Sequence, residues 1–244
     1  MTLHANTAAR QLNEQGYCIL PGLFSRSTIE SFREVVLAHK HLMGQTRNNV
    51  QSFHLAGFDR FAPLQALHCE IAASPGLQNV LRAFFAPSDF HTIGLTDITI
   101  NRSQHWHTDL LRGRFSHFLD AADPWAPAEP ACVKALVYLQ DGKSLKIVPG
   151  SHLAPTPLDD AALEQLAQQR EAIALEARAG DIVMIDLRAL HRGSTDGEMQ
   201  APGLAESPKI LVSTVFGSKI SAFAAAMQRG NAQRMAEWDA KYLA

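Results

Sequence analysis

His107 and Asp109 stand two residues apart in the run His105-Trp106-His107-Thr108-Asp109. In an extended chain alternate side chains share a face, so this imidazole and this carboxylate would point the same way. Together they supply two ligands on one side of a metal ion. A remote histidine would complete a facial triad and leave three cis positions open, two for a bidentate keto acid and one for O2. The remote ligand has three candidates, His117, His152 and His191. His191 follows the apolar run from Gly180 to Asp186 and begins His191-Arg192-Gly193-Ser194, a strand end opening into a loop. His152 lies in the turn Pro149-Gly150-Ser151-His152 and reads as a structural hydrogen-bonding residue. His117 reads as solvated or substrate-facing. Taken alone, H-x-D recurs by chance, and a surface strand end is the plain alternative. His105 and His107 would also share a face and could suggest zinc. Zinc, however, favours imidazole and thiolate in tetrahedral closure, and no suitable cysteine pair is nearby.

These residues need elements to hold them. The first half of the chain predicts helices around short strands. Thr7 to Glu14 forms a helix that Gly16 ends, and Tyr17 to Leu20 makes a strand stopped by Pro21-Gly22. Ser25 or Ser27 caps a helix running to about His39, with Ile29, Phe32, Val35 and Val36 on one face. The stretch Asn48 to Phe61 is ambiguous. Ser74-Pro75 opens a helix carrying Leu77, Val80, Leu81 and Phe84. Beyond His91 the texture changes to strands: Thr92–Ile100, Val133–Leu139, Leu145–Val148, Ile182–Ile185 and Ile210–Phe216. Asp141-Gly142, Pro149-Gly150 and Gly180-Asp181 separate them as turns. A helix from about Asp159 to Arg170 interrupts the series, and another closes the chain from about Asn231 to Tyr242.

The pattern predicts a mainly β fold with flanking helices, a double-sheet jelly roll. One domain over 1–244 is the simplest division. It has a mostly helical flank over 1–90, a jelly-roll core over 91–217 and a helical segment over 218–244. The stretch from about 110 to 131 holds Pro124, Pro127 and Pro130 and predicts a lid loop. Arg112, Arg114 and His117 lie on it, where substrate would enter. A substrate bearing a carboxylate or phosphate would suit the arginines; a merely charged lid surface is the alternative.

Composition bounds the partners. The 244 residues are 46% hydrophobic and 19% charged, with a formal charge of -2, so nothing favours nucleic acid or an anionic membrane. No apolar stretch approaches the roughly 20 residues of a spanning helix. The start lacks the basic and apolar regions of a secretory signal, and the scattered Cys18, Cys69 and Cys132 suggest reduced thiols. A cytoplasmic enzyme with a small-molecule substrate is the expectation; oligomeric state is not readable.

In order and spacing the chain resembles the phytanoyl-CoA dioxygenase family of Fe(II)- and 2-oxoglutarate-dependent oxygenases. The resemblance rests on Gly16 to Ser25, on Trp106 to Asp109, on Leu145 to His152 and on Gly180 through His191. It implies a double-stranded β-helix, Fe(II) held by His107, Asp109 and His191, and 2-oxoglutarate and O2 as co-substrates. It assigns Pro149 to His152 to a structural turn. It also places Lys134 and Ile98 beside the keto acid. The face of Lys134 includes Leu136 and Tyr138, which admits two readings, a lysine pointing into the barrel or one snorkelling at an outer face. One departure stands out. The family's arginine for the far carboxylate of 2-oxoglutarate is missing, and Lys209 falls in its place after a lengthened loop, Thr195 to Glu206. Lysine can act as a point charge but cannot make the bidentate fork. Alternation puts Ser213 on the face of Lys209, where it could add a hydrogen bond; a solvated strand-start lysine is the alternative. Arg192 is a rival anchor, but it neighbours His191 and should point the other way. Trp106 reads as packing.

The implied reaction is hydroxylation of an aliphatic C–H bond in a small metabolite, an anionic one if the lid arginines face it, with succinate and CO2 as co-products. The presence of Asp109 argues against halogenation. A cupin-type metal enzyme without 2-oxoglutarate, or a ligand-binding relative without catalysis, are the competing readings.

Overall fold

A computed structural model describes residues 2–46, 51–126, 132–157, 159–200 and 203–242. Its helices are α1 (Thr2–Gln15), α2 (Arg26–Ala38), α3 (Ala62–Ala72), α4 (Pro75–Phe85), α5 (Asp160–Gln168) and α6 (Ala222–Tyr242). Its strands are β1 (Tyr17–Leu20), β2 (Gly44–Gln45), β3 (Phe53–Ala56), β4 (Phe90–Thr92), β5 (Asp97–Ile100) and β6 (Val133–Tyr138). They continue as β7 (Gly142–Ile147), β8 (Ile173–Ala177), β9 (Ile182–Asp186), β10 (His191–Arg192) and β11 (Ile210–Ser218).

Two antiparallel sheets result. The larger runs β1-β9-β6-β11-β5-β3-β2, with β4 also on β11; the smaller runs β10-β7-β8. Alternation along β6 explains how they stack. Val133, Ala135 and Val137 join a core shared with the helices, through Leu12, Phe32, Leu64 and Leu77. Leu136 and Tyr138 face the other way and pack with Leu145, Ile147 and Leu175 of the small sheet. Burying both faces of the large sheet gives near-continuous apolar runs such as Ile182 to Asp186, all buried. The jelly roll expected from the strand pattern is the architecture observed. No described helix is long and apolar enough to cross a membrane.

Local chemistry sets most boundaries. Ser25 caps α2 by accepting from the Thr28 N–H at 3.1 Å, and Ile29, Phe32 and Val36 are buried beneath it. Pro75 opens α4, whose buried face carries Phe85 rather than the expected Phe84. The strand expected over Thr92–Ile100 splits into β4 and β5 because Gly94 turns left-handed at φ 76°. Its carbonyl accepts from the Asn231 amide of α6. Helix α6 begins at Ala222, well before the expected Asn231. Gly230 sits inside it, where a Cβ would collide with Leu111. Helix α3 and strand β8 carry no expectation from sequence. Residues 127–131 of the expected lid, 48–50 of the ambiguous stretch and 201–202 of the lengthened loop lie outside the described residues.

The turn into β9 ties the first strand to the sheets. The Asp181 carboxylate accepts from the Gly22 and Arg178 N–H groups, each at 2.8 Å. Gly180 adopts φ 95°, and a Cβ there would meet the Phe24 carbonyl. A left-handed non-glycine residue costs about 1–3 kcal/mol. Gly180→Ala should therefore lower unfolding stability by at least that much in urea titration; an unchanged midpoint would show that the turn can relax.

Candidate metal centre

His107 and His191 meet through a pair of reciprocal backbone hydrogen bonds. His107 N–H donates to the His191 carbonyl at 2.8 Å and His191 N–H donates back at 2.9 Å. Asp109 N–H donates to the Leu187 carbonyl at 2.8 Å, four residues before His191. The segment around His107 is thus pinned as an isolated bridge and not, as alternation supposed, as part of a regular strand. The consequence for the side chains is the expected one. One donor atom each from His107, Asp109 and His191 lies within 4.8 Å of the other two.

Both rings are oriented to ligate. His107 Nδ1–H donates to the His105 carbonyl at 2.7 Å, and His191 Nδ1–H donates to the Ala189 carbonyl at 2.9 Å. Each hydrogen bond fixes the proton on Nδ1 and leaves the Nε2 lone pair for a metal. Burial and the neighbouring His191 push His107 down to about 3, and burial pushes His191 down as well, so both are neutral. Burial alone would raise Asp109, but the Lys134 ammonium beside it holds it well below the usual carboxylate range. Lys134 Nζ donates to Asp109 Oδ1 at 2.9 Å. The other carboxylate oxygen, Oδ2, and His107 Nε2 are buried without a hydrogen-bond partner. Unsatisfied buried acceptors are costly unless something electropositive meets them. Two imidazoles and one carboxylate are the donor set that divalent iron takes, so the residues fit the ion.

Residues 12–196 match the sequence model of phytanoyl-CoA dioxygenase (PhyH). The chain belongs to the phytanoyl-CoA dioxygenase family. It is accordingly a 2-oxoglutarate-dependent non-haem iron enzyme, with Fe(II), 2-oxoglutarate and O2 as its cofactor set. No curated protein sequence matches it. Among solved structures it is similar in fold to SnoN, an α-ketoglutarate-dependent epimerase from nogalamycin biosynthesis, at TM-score 0.62 and 20% identity over 89% of this chain and 84% of that one. It is also similar to SnoK, a carbocyclase of the same biosynthesis, at TM-score 0.62 and 19% identity over 86% and 83%. HygX from Streptomyces hygroscopicus, solved with nickel, 2-oxoglutarate and hygromycin B, gives TM-score 0.61 and 18% identity over 88% and 87%.

In this member of the phytanoyl-CoA dioxygenase family a cleft runs between the sheets from His191 to Lys209. Lys134, Leu136 and Tyr138 line it from β6, so Lys134 points into the barrel and does not snorkel outward. Lys209 is not a solvated strand-start residue. Its ammonium donates to the hydroxyls of Ser194, at 2.6 Å, and Ser144. Burial lowers it to about 8, partly offset by Glu198. Ser213 lines the same cleft. Ile98 does not: it is fully buried in the core shared with the helices, and its neighbours Asp97 and Thr99 face the cleft. A one-residue step on a strand exchanges the faces.

The expected lid residues separate. Residues Gly113–Leu119 form a 3-10 helix, and Phe115, Phe118 and Leu119 pack with Leu111, Phe223 and Met227. That packing turns Arg114 outward to pair with Glu237, and leaves His117 exposed, its Nδ1–H on the Arg114 carbonyl at 2.7 Å. Arg112 alone stays at the mouth beside His107 and Asp109. Arg192 turns away to the Gly193 carbonyl and lies over Trp106, which packs with Val148, Leu163 and Leu190. His152 is buried, with its Nε2–H on the Asn13 carbonyl at 2.9 Å, in the structural turn expected.

Asp109→Ala leaves two imidazoles facing each other without a charge to balance a cation. Equilibrium dialysis should show Fe(II) binding weakened at least 100-fold in a protein that still folds; retained stoichiometric iron would remove Asp109 from the centre.

Proposed function

We propose that the enzyme hydroxylates an aliphatic C–H bond of a small molecule, with iron held by His107, Asp109 and His191 and 2-oxoglutarate lying between that iron and Lys209. The observation that carries this reading is a cleft lined at one end by His191, whose ring clusters with His107 and Asp109, and at the other by the ammonium of Lys209. A keto acid bound at the metal needs its far carboxylate neutralised, and among the groups lining that cleft Lys209 has a partially desolvated charge and two serine partners ready for it. Burial strengthens such a pairing relative to water.

The protein's own residues have separable tasks. His107 and His191 present fixed Nε2 atoms. Lys134 occupies one oxygen of Asp109, which leaves the other for the metal. Leu136, Leu145 and Leu211 supply the apolar part of the cleft wall, against which the carbon chain of the co-substrate would lie. Ser213, beside Asp97, adds a hydroxyl on the same wall. When bound, Fe(II) and 2-oxoglutarate supply the oxidising power by consuming O2 and the keto acid, with succinate and CO2 as products.

Coupled succinate release and O2 uptake on a library of small metabolites tests the class, and mass spectrometry of the product tests hydroxylation. A gain of one oxygen atom is expected. The neighbours named as epimerase and carbocyclase make the competing outcome concrete: a product isomeric with, or dehydrogenated from, the substrate would replace hydroxylation. Turnover without any keto acid would sink the co-substrate assignment.

Lys209 yields a pH prediction. Its ammonium is charged below about 8 and is lost above it. Because kcat/KM reports the free enzyme, that parameter for 2-oxoglutarate should fall above pH 8, while iron content stays constant. Lys209→Ala should raise the KM for 2-oxoglutarate about 10- to 100-fold at pH 7, the equivalent of roughly 1.5–3 kcal/mol for a hydrogen bond to a charged group. An unchanged KM and a flat alkaline limb would move the anchor elsewhere.

A further inference from the structure

Positive charge gathers at the mouth of the metal pocket. Beside His107 and Asp109 it is lined by Arg102, Arg112 and Arg234, with Lys134 beneath. The carboxylates that face them are Asp97 and Asp109, with Asp160 on the adjoining rim.

Arg234 is delivered by α6, outside the stretch that matches the family. Gly230 lets the helix close on Leu111, Asn231 reaches the Gly94 carbonyl, and Arg234 Nε–H donates to Asn231 Oδ1 at 3.2 Å. One amino group of its guanidinium, Nη2, donates to Asp97 at 3.2 and 3.4 Å. Asp97 is itself held by His54 Nε2–H at 3.2 Å. Those bonds use one edge of Arg234. Its other amino group takes part in none of them, and the side chain is 29% exposed at the pocket rim.

Arg112 is positioned in the same manner. One amino group donates to Asp160 and the other to the Thr108 carbonyl at 3.1 Å. Its Nε–H is buried and has no acceptor. A desolvated guanidinium donor without a partner is expensive, and a bound anion is the group that satisfies it.

We infer that Arg112 and Arg234, with Arg102 alongside, form an anion subsite at the pocket mouth, and that the primary substrate carries a carboxylate or phosphate monoester held there while its C–H bond faces the metal. The inference rests on the proposed oxygenase reading and specifies the substrate class for that same site. Asp97 and His54 act as positioning residues for Arg234. Either anion fits, because the remaining amino group of Arg234 and the Nε–H of Arg112 are charged donors that a carboxylate or phosphate oxygen can accept.

The test uses the full chain loaded with Mn(II), which does not turn over, and saturating 2-oxoglutarate. Inorganic phosphate and 13C-labelled acetate are titrated separately, and paramagnetic broadening of the 31P or 13C resonance reports binding near the metal. Saturable broadening is expected for at least one probe, and the tighter one identifies the anion class. Arg234→Gln and Arg112→Gln should each weaken it tenfold or more, and Arg234→Lys should stay within about threefold of wild type. Absence of saturable broadening by both probes in wild type, or binding unaffected by either glutamine variant, overturns the subsite. Should Mn(II) or 2-oxoglutarate fail to bind, the oxygenase reading falls separately. Calorimetric phosphate binding that depends on Arg234 would then still support the subsite, and its absence would overturn it.

Discussion

The reciprocal backbone bridge between His107 and His191 is the constraint from which the site follows. Two N–H···O bonds of 2.8 and 2.9 Å lock segments far apart in sequence into register, so the two imidazole centroids lie 4.2 Å apart. Sliding that pairing by one residue would put one ring on the opposite face and dissolve the ligand set. The bridge in turn needs both flanks held. His191 pairs with Ile147 of the small sheet, and Asp109 is tied to Leu187 at the end of β9 in the large one. The metal centre therefore sits where the two sheets meet, and their shared core of Leu136, Tyr138, Leu145 and Leu175 sets its spacing.

Around that bridge the fold buries charge that stability alone would not keep. Lys134 and Asp109 form an ion pair with each side chain 13% exposed, and Asp97 is held between His54 and Arg234. Buried pairs often do no better than apolar replacements of equal volume, so their retention calls for another reason. Here each pair fixes an atom that the proposed chemistry would use: the free oxygen of Asp109 in one case and the outward edge of Arg234 in the other. The lone ammonium of Lys209, softened by burial and two hydroxyls, is the clearest instance. It is a charge kept ready for a counter-ion.

Much of this was legible in the sequence because two-residue alternation carries it. The alternation correctly placed Lys134 on the face of Leu136 and Tyr138, and Lys209 in the cleft that Ser213 lines. The same rule also marks the error at Ile98. In Asp97-Ile98-Thr99-Ile100 the polar pair faces the cleft and the apolar pair enters the core. The pattern was present and only its polarity was misjudged. Other residues had no local signal. Ser144 and Ser194 meet Lys209 across three separate segments, and Arg234 reaches the mouth only because Gly230 allows a close approach to Leu111. Such contacts are products of tertiary packing, which no window of sequence contains. Arg114 and His117 failed for the converse reason: sequence proximity to Asp109 suggested a role, but Phe115 and Phe118 burying against α6 turned them away.

The division along the chain has a functional logic. The stretch that matches the family ends at residue 196, with the three metal-type ligands inside it. Lys209 and Arg234 both follow that point, the first just before β11 and the second on α6. The metal-type ligands thus belong to the family pattern, while the groups proposed to meet the far ends of co-substrate and substrate come from C-terminal segments packed onto it. A lysine can replace an arginine at the co-substrate anchor if nearby hydroxyls make up part of the lost fork, and Ser144 and Ser194 stand in that position. Helix α6 carries none of His107, Asp109 and His191, and near the mouth it is tied to Gly94, Asp97 and Leu111. On the proposed reading, a substitution at Arg234 would therefore change the rim while the three metal-type donors keep their places, so one oxidising centre could be directed at different substrates from a single helix.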